Sequence, residues 1–166
     1  MQEIYILRHG HAQESDNGLN DFDRVLTEEG VEKINRLSMF FDKLDANLEL
    51  ILSSPYLRAK QTAEIFLSQL TLKPGLKIVD FLASGTSCKE ISRGLVDYSL
   101  NKNVLLVGHS PDLEIFLGKL IGADRITLKK GALAKVKFQN NIELSGELEW
   151  LIIPKLIKKV KTAKLA

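Results

Sequence analysis

Two histidines stand at the ends of short apolar runs: Arg8-His9-Gly10 follows Ile4-Tyr5-Ile6-Leu7, and His109 follows Val104-Leu105-Leu106-Val107-Gly108. Such runs read as buried strands, and open α/β sheets collect their ligands at the carboxyl ends of their strands. Imidazole can act as a nucleophile, and the arginine fork is the side chain best shaped to hold the equatorial oxygens of a phosphoryl group. Arg8 beside His9 therefore points to phosphoryl transfer through a phosphorylated His9. Arg58 falls in the first turn of a helix expected after Ser54-Pro55, so its guanidinium and that helix's unpaired amides can face the same anion. Taken singly, Arg58 reads as a surface residue at a helix start and His109 as a capped or core histidine. Two histidines and two arginines converging on one sheet edge read as a phosphate site.

The elements that must position them alternate between strand and helix, with no internal repeat and no low-complexity linker. After the strand at 4–8 comes a polar loop, His11 to Leu26, and then a helix from about Thr27. Glu28 and Glu29 stand in its first turn, and Val31, Ile34, Leu37, Phe41 and Leu44 form its core face. Leu48–Leu52 reads as a strand, with Ser54-Pro55 as N-cap and first-turn proline of a helix running to about Leu70. Leu76–Val79 is a shorter strand, and Ser87–Leu100 a helix interrupted by Gly94. A strand at 103–108 leads through His109 into Ser110-Pro111-Asp112-Leu113-Glu114, a second N-cap, proline and acidic first turn. The buried stripe of that helix is Leu113, Phe116, Leu117, Leu120 and Ile121, and Gly122 is its stop. Segments 132–138 and 147–153 read as an antiparallel pair at the sheet edge. The expected fold class is α/β: a single three-layer α/β/α domain with a mostly parallel mixed sheet and an antiparallel edge, spanning 1–154 and followed by a basic tail, 155–166.

With 166 residues the chain is long enough to bury a core without metal or disulfide staples, and 45% hydrophobic and 27% charged residues place it among ordinary globular proteins. Its single Cys88 excludes an intrachain disulfide and reads as a small, semi-buried residue. No apolar run reaches transmembrane length, and Arg8 and His9 interrupt the first too early for a signal-peptide core, so a cytoplasmic location is expected. The tail carries five lysines and no acid, which lifts a remainder of −3 to the chain's +2. It reads as a solvated segment or helix docked through Leu156, Ile157 and Val160. No arginine-rich stripe with interleaved aromatics suggests nucleic acid.

Three segments resemble the motifs of the histidine phosphatase superfamily, related in fold to phosphoglycerate mutase. They are Leu7-Arg8-His9-Gly10, Ser53-Ser54-Pro55-Tyr56-Leu57-Arg58-Ala59-Lys60-Gln61-Thr62 and Val107-Gly108-His109-Ser110, in order and in matching context. The resemblance spans nearly the whole chain, and the absence of a long helical insert is similar to bacterial phosphohistidine phosphatases of the SixA type. Leu26-Thr27-Glu28-Glu29-Gly30 resembles a further family segment, and Arg24 matches a position where such members carry an arginine near the phosphate. The resemblance implies that His9 attacks phosphorus while Arg8, Arg58 and His109 hold the phosphoryl oxygens; Arg24, Gly10, His11 and Ser110 are the expected substrate contacts. It implies no metal and no cofactor. His9 must be neutral at the attacking nitrogen, its other nitrogen donating to a backbone carbonyl such as that of Gly10.

One departure from the family narrows the substrate. Many members carry a glutamate general acid after the third strand, whereas here Asp80-Phe81-Leu82-Ala83-Ser84-Gly85-Thr86 reaches no glutamate until Glu90. An alkoxide leaving group needs a proton, but the imidazole of a ring-protonated phosphohistidine leaves neutral. Asp16, Asp21, Asp23 and Asp80 are possible substitute acids, though each also reads as a surface carboxylate or turn-former. His11 forms a His-x-His pair with His9 but has no cysteine or acid at ligand spacing, which argues for a rim position over a metal site. The expected enzyme is a monomeric phosphohistidine phosphatase. Its expected partner is a phosphorylated protein, a histidine phosphotransfer domain or a phosphotransferase-system protein, with neither nucleic acid nor membrane involved. The alternatives are a phosphatase for small phosphomonoesters such as sugar phosphates and a phosphate-binding module without turnover.

Overall fold

The computed structural model describes residues 2–14, 18, 20–44, 46–99, 102–138 and 145–157. Six strands, β1 (Gln2–Arg8), β2 (Leu50–Ser53), β3 (Gly75–Ile78), β4 (Val104–Gly108), β5 (Leu133–Phe138) and β6 (Glu147–Ile152), form one sheet of order β3-β2-β4-β1-β5-β6. The first four in that order run parallel, while β5 and β6 are antiparallel, so the edge expected from 132–138 and 147–153 is present.

The continuous apolar runs of β1, β2 and β4 follow from burial on both faces. Side chains alternate: Ile4, Ile6, Val104 and Leu106 join one core, and Tyr5, Leu7, Leu105 and Val107 join the other. The helices are α1 (Glu28–Asp42), α2 (Leu57–Gln69), α3 (Cys88–Ser99), α4 (Asp112–Ile121) and a single turn, α5 (Pro154–Ile157). Ile34, Leu37 and Phe41 of α1 and Ala59, Ala63 and Phe66 of α2 cover the second core, whereas Ile91 and Leu95 of α3 and Leu113, Phe116 and Leu117 of α4 cover the first. The result is the three-layer arrangement. Among the described residues no helix is long and apolar enough to cross a membrane.

Thr27 caps α1, its hydroxyl accepting from the Gly30 amide at 3.1 Å. Leu44 departs from the expected core face: it lies beyond the last turn and is exposed, and Val31 is only half-buried. Gly94 within α3 is explained by packing, since a Cβ there would lie 2.3 Å from the Phe81 ring. Both Ser-Pro caps are corrected. The first residue of α2 is Leu57, two beyond Pro55, and Tyr56 at its N-cap supplies no side-chain hydrogen bond. Pro111 is itself the N-cap of α4, and Ser110 does not cap. A proline disfavours helical geometry in the residue before it, which keeps each serine outside the helix it precedes. Val160 and most of the lysine tail lie outside the described residues; Ile157 packs on the second core and Leu156 is exposed.

Gly30 fixes α1 against the loop that follows β1. A Cβ at Gly30 would lie 2.1 Å from the His11 carbonyl oxygen, a backbone atom that cannot give way alone. Gly30→Ala is expected to destabilise the fold by about 1–3 kcal/mol, the usual cost of overpacking. Urea unfolding measures it, and an unchanged midpoint would show that α1 shifts freely.

Candidate active site

Three strand ends meet because the parallel register brings them level. Arg8 pairs with Gly108 and Ser53 with Val107; beyond them the His9 amide donates to the Gly108 carbonyl at 3.0 Å and the Ser54 amide to Val107 at 2.9 Å. His9, Arg58 and His109, distant in sequence, are thereby gathered at one edge and buried, with 7%, 4% and 2% of their surfaces exposed. So much polar burial at one point is tolerated only where the groups find partners or a ligand.

His9 is held in a single tautomer. Its Nδ1 lies 2.8 Å from the Gly10 carbonyl, an acceptor only, so Nδ1 carries the proton. Nε2 then presents a lone pair, which receives the Nε–H of Arg58 at 3.3 Å. The Gly10 amide donates to Thr62 Oγ1 at 3.0 Å, and the Thr62 hydroxyl donates to the Arg58 carbonyl at 2.7 Å, tying the nucleophile's loop to α2. A Cβ at Gly10 would lie 3.2 and 3.0 Å from the Leu26 and Ile34 side chains, so glycine lets this loop pack closely on α1 without displacing them.

His109 packs its ring 5.2 Å from that of His9, and its Nε2 contacts Ser54 Oγ at 2.7 Å. The same hydroxyl accepts from the Tyr56 amide at 3.3 Å, so Ser54 ties the approach to α2 to His109. The Tyr56 ring meets His109 edge-on, with centroids 4.9 Å apart, and its face lies 4.8 Å from the Arg58 guanidinium. Arg8 donates from Nη1 to the Leu128 carbonyl at 2.7 Å. Arg8 Nε, His109 Nδ1 and Ser110 Oγ are buried without a protein partner. Unpaired buried polar atoms clustered in this way mark a place prepared for a polar ligand.

The remaining Arg58 nitrogens go to one residue: Nη1 to the Asp21 carbonyl and Nη2 to the Asp21 carboxylate at 3.0 Å. Asp21 belongs to a 3-10 turn, Asp21–Asp23, capped by Asn20, and Phe22 of that turn rests 4.9 Å from Tyr56. The other carboxylate oxygen of Asp21 accepts from Arg24 Nη1 at 2.7 Å, so one carboxylate bridges two of the three arginines expected at the phosphate. Arg24 is thus brought to the site. His11 is not: its Nδ1 engages Thr27 Oγ1 at 3.0 Å, at the cap of α1. No group of metal-ligating side chains occurs among the described residues.

Electrostatics keep both histidines neutral. Burial drives the His9 imidazole down to about 3, outweighing the Gly10 hydrogen bond, with the charges of His109, Arg58 and Arg8 acting in the same direction as burial. Burial, then the charge of Arg58, drives His109 down to about 4. Burial raises the Asp21 carboxyl, but its bonds to Arg24 and Arg58 and their charges hold it below the usual range, so it is ionised at neutral pH. Of the other candidate acids, Asp23 and Asp80 are exposed and Asp16 lies outside the described residues. Both histidines bind protons in the unfolded chain below about pH 6.5 but not in the folded one, so the stability they lend is complete above that pH. It is lost as pH falls toward 4. NMR titration is expected to show His9 and His109 neutral at pH 5.5; charged imidazolium signals there would contradict the burial argument.

The model of the histidine phosphatase superfamily (branch 1) matches residues 4–83, which carry Arg8, His9, Arg24 and Arg58. An uncharacterised protein of Picosynechococcus is 35% identical over 113 residues, 67% of this chain and 68% of that protein. The chain belongs to the histidine phosphatase superfamily. Phosphohistidine phosphatase SixA of Escherichia coli is 26% identical over 167 residues, covering 96% of this chain and 98% of SixA. A solved protein histidine phosphatase SixA complexed with tungstate overlays with a TM-score of 0.82 at 24% identity, over 93% of this chain and 99% of that one. The histidine phosphatase fold accounts for the mixed sheet and for the gathering of three motifs at its edge.

Sequence reasoning did not single out Ser54 as the partner of His109, Thr62 as the tie between Gly10 and Arg58, or Tyr56 as the aromatic wall. All three lie inside the Ser53–Thr62 segment, where a strand-to-helix junction rich in hydroxyls already signalled side chains turned toward the sheet edge.

Proposed function

We propose that this chain is a phosphohistidine phosphatase that works through a covalent phospho-His9 intermediate. The observation that carries the reading is the state of the site: a neutral nucleophile with its lone pair aimed beside Arg58, and no protonated acid among the described side chains around it. His9 Nε2 forms a bond to phosphorus as the P–N bond of the substrate breaks, and the departing imidazole keeps the electron pair. Because that ring already carries a proton, it leaves neutral without an enzyme acid. Arg8, Arg58 and His109 hold the equatorial oxygens through the transfer, with Arg24 at the rim. Water then attacks phospho-His9, and phosphate departs as the imidazole is restored. Tungstate is a tetrahedral oxyanion, and its presence in the SixA relative supports a phosphate pocket in this fold.

An ester substrate would need a protonated acid as donor, and none stands among the described side chains around His9. Turnover of a phosphohistidine peptide, a phosphoserine peptide and a sugar phosphate at equal concentration tests the proposal. The phosphohistidine peptide is expected to be preferred by about 100-fold or more in kcat/KM, the usual contribution of a general acid. Equal or better turnover of either ester would overturn it.

A further inference from the structure

A phosphoryl pocket grips the same oxygens whatever the phosphate is attached to, so partner choice must come from outside it. An open groove of about 560 Å³ begins at Arg8 and runs between α1, the turn at Lys129-Lys130 and α5. Its floor includes Ile153 and Pro154, and its rim carries Lys129, Lys130 and Lys155. These three lysines are exposed and take part in none of the ion pairs among the described residues. Lys33 on the α1 wall is held by Glu29, while the lining of the groove itself contains no acidic residue. The rim is therefore a net positive surface, and it touches the phosphate site through Arg8, the residue before the nucleophile. Residues 158–166 bring four more lysines and no acid.

We propose that this groove docks an acidic surface segment of the phosphohistidine protein, which rests on the functional reading above. Small apolar side chains of the partner meet Ile153 and Pro154 while its carboxylates meet the three lysines. A phosphorylated small molecule held at His9 would not span the groove, so the lysines discriminate for protein substrates. Rim charges of this kind act mainly on association rate and salt dependence.

The test uses two phosphohistidine peptides of equal length, one with acidic flanks and one with neutral flanks, and the variant K129Q/K130Q/K155Q. The acidic peptide is expected to be favoured by about tenfold in kcat/KM at about 50 mM salt, falling toward parity at about 0.5 M as screening sets in. The variant should lose most of that preference while turning over the neutral peptide at the unchanged rate. No preference in the parent protein, or an undiminished one in the variant, would overturn the proposal. Fluorescence anisotropy with the unphosphorylated acidic peptide separates the two readings. Lysine-dependent binding without turnover of either peptide supports the groove and rejects the phosphatase; turnover without such binding does the reverse. Lysine-dependent binding to phosphatidylserine vesicles but not to the peptide would reject a protein occupant in favour of a membrane.

Discussion

His9→Ala is expected to abolish the phosphoenzyme and to lower turnover by about four orders of magnitude or more, the scale set by loss of a nucleophile in enzymes whose catalytic groups act as a unit. The reason lies in the atoms. Nδ1 is committed to the Gly10 carbonyl, so Nε2 is the one ring nitrogen able to attack, and it stands within reach of the Arg58 fork. His109 differs in its engagement: its Nε2 is bound to Ser54 and its Nδ1 is the nitrogen left without a protein partner. Rapid quench with labelled phosphohistidine peptide reads the result: the parent protein should yield an acid-labile, base-stable labelled species within one turnover, and the variant none. His9→Asn, nearer in shape to imidazole, guards against loss of the fold. A labelled enzyme persisting in both variants would move the nucleophile elsewhere.

The strands that carry this chemistry were legible because burial on both faces leaves an unbroken apolar run, as in Ile4–Leu7 and Val104–Val107, and each run ends in a histidine. Parallel register then needs no further information to bring those histidines level. What stayed hidden depended on contacts made far along the chain. Ser54-Pro55 and Ser110-Pro111 have the local form of helix starts, but Ser54 is drawn to His109, 55 residues away, and Ser110 supplies no cap. At Ser54 the hydroxyl is shared with a distant histidine, whereas at Ser110 it is buried without a protein partner. Asp21 read as one of several loop carboxylates because nothing in Asp21-Phe22-Asp23-Arg24 reveals that the turn folds back onto α2. The absent glutamate could be read by inspection; the ionised state of Asp21 could not, since it depends on two arginines meeting it in space.

Arg58→Lys is expected to lower kcat/KM by about 100- to 1,000-fold although it conserves charge, the range seen when one preorganised donor to a developing oxyanion is removed. The guanidinium is used at all three nitrogens: Nε on His9, Nη1 on the Asp21 carbonyl and Nη2 on the Asp21 carboxylate, with the Tyr56 ring against its face. An ammonium cannot both steady the imidazole and present two parallel donors to a phosphoryl group. Asp21→Asn should act in the opposite direction. In the structure the Asp21 carboxylate occupies donors of Arg58 and Arg24 that a phosphoryl group would use, so an anionic substrate must displace it. Neutralising it should tighten inhibition by inorganic phosphate severalfold, while Arg58→Lys should weaken it. If Asp21→Asn instead weakens phosphate binding, the carboxylate is holding the arginines in place for the substrate and is not competing with it. The pair of variants thus decides whether Asp21 gives way to substrate or supports it.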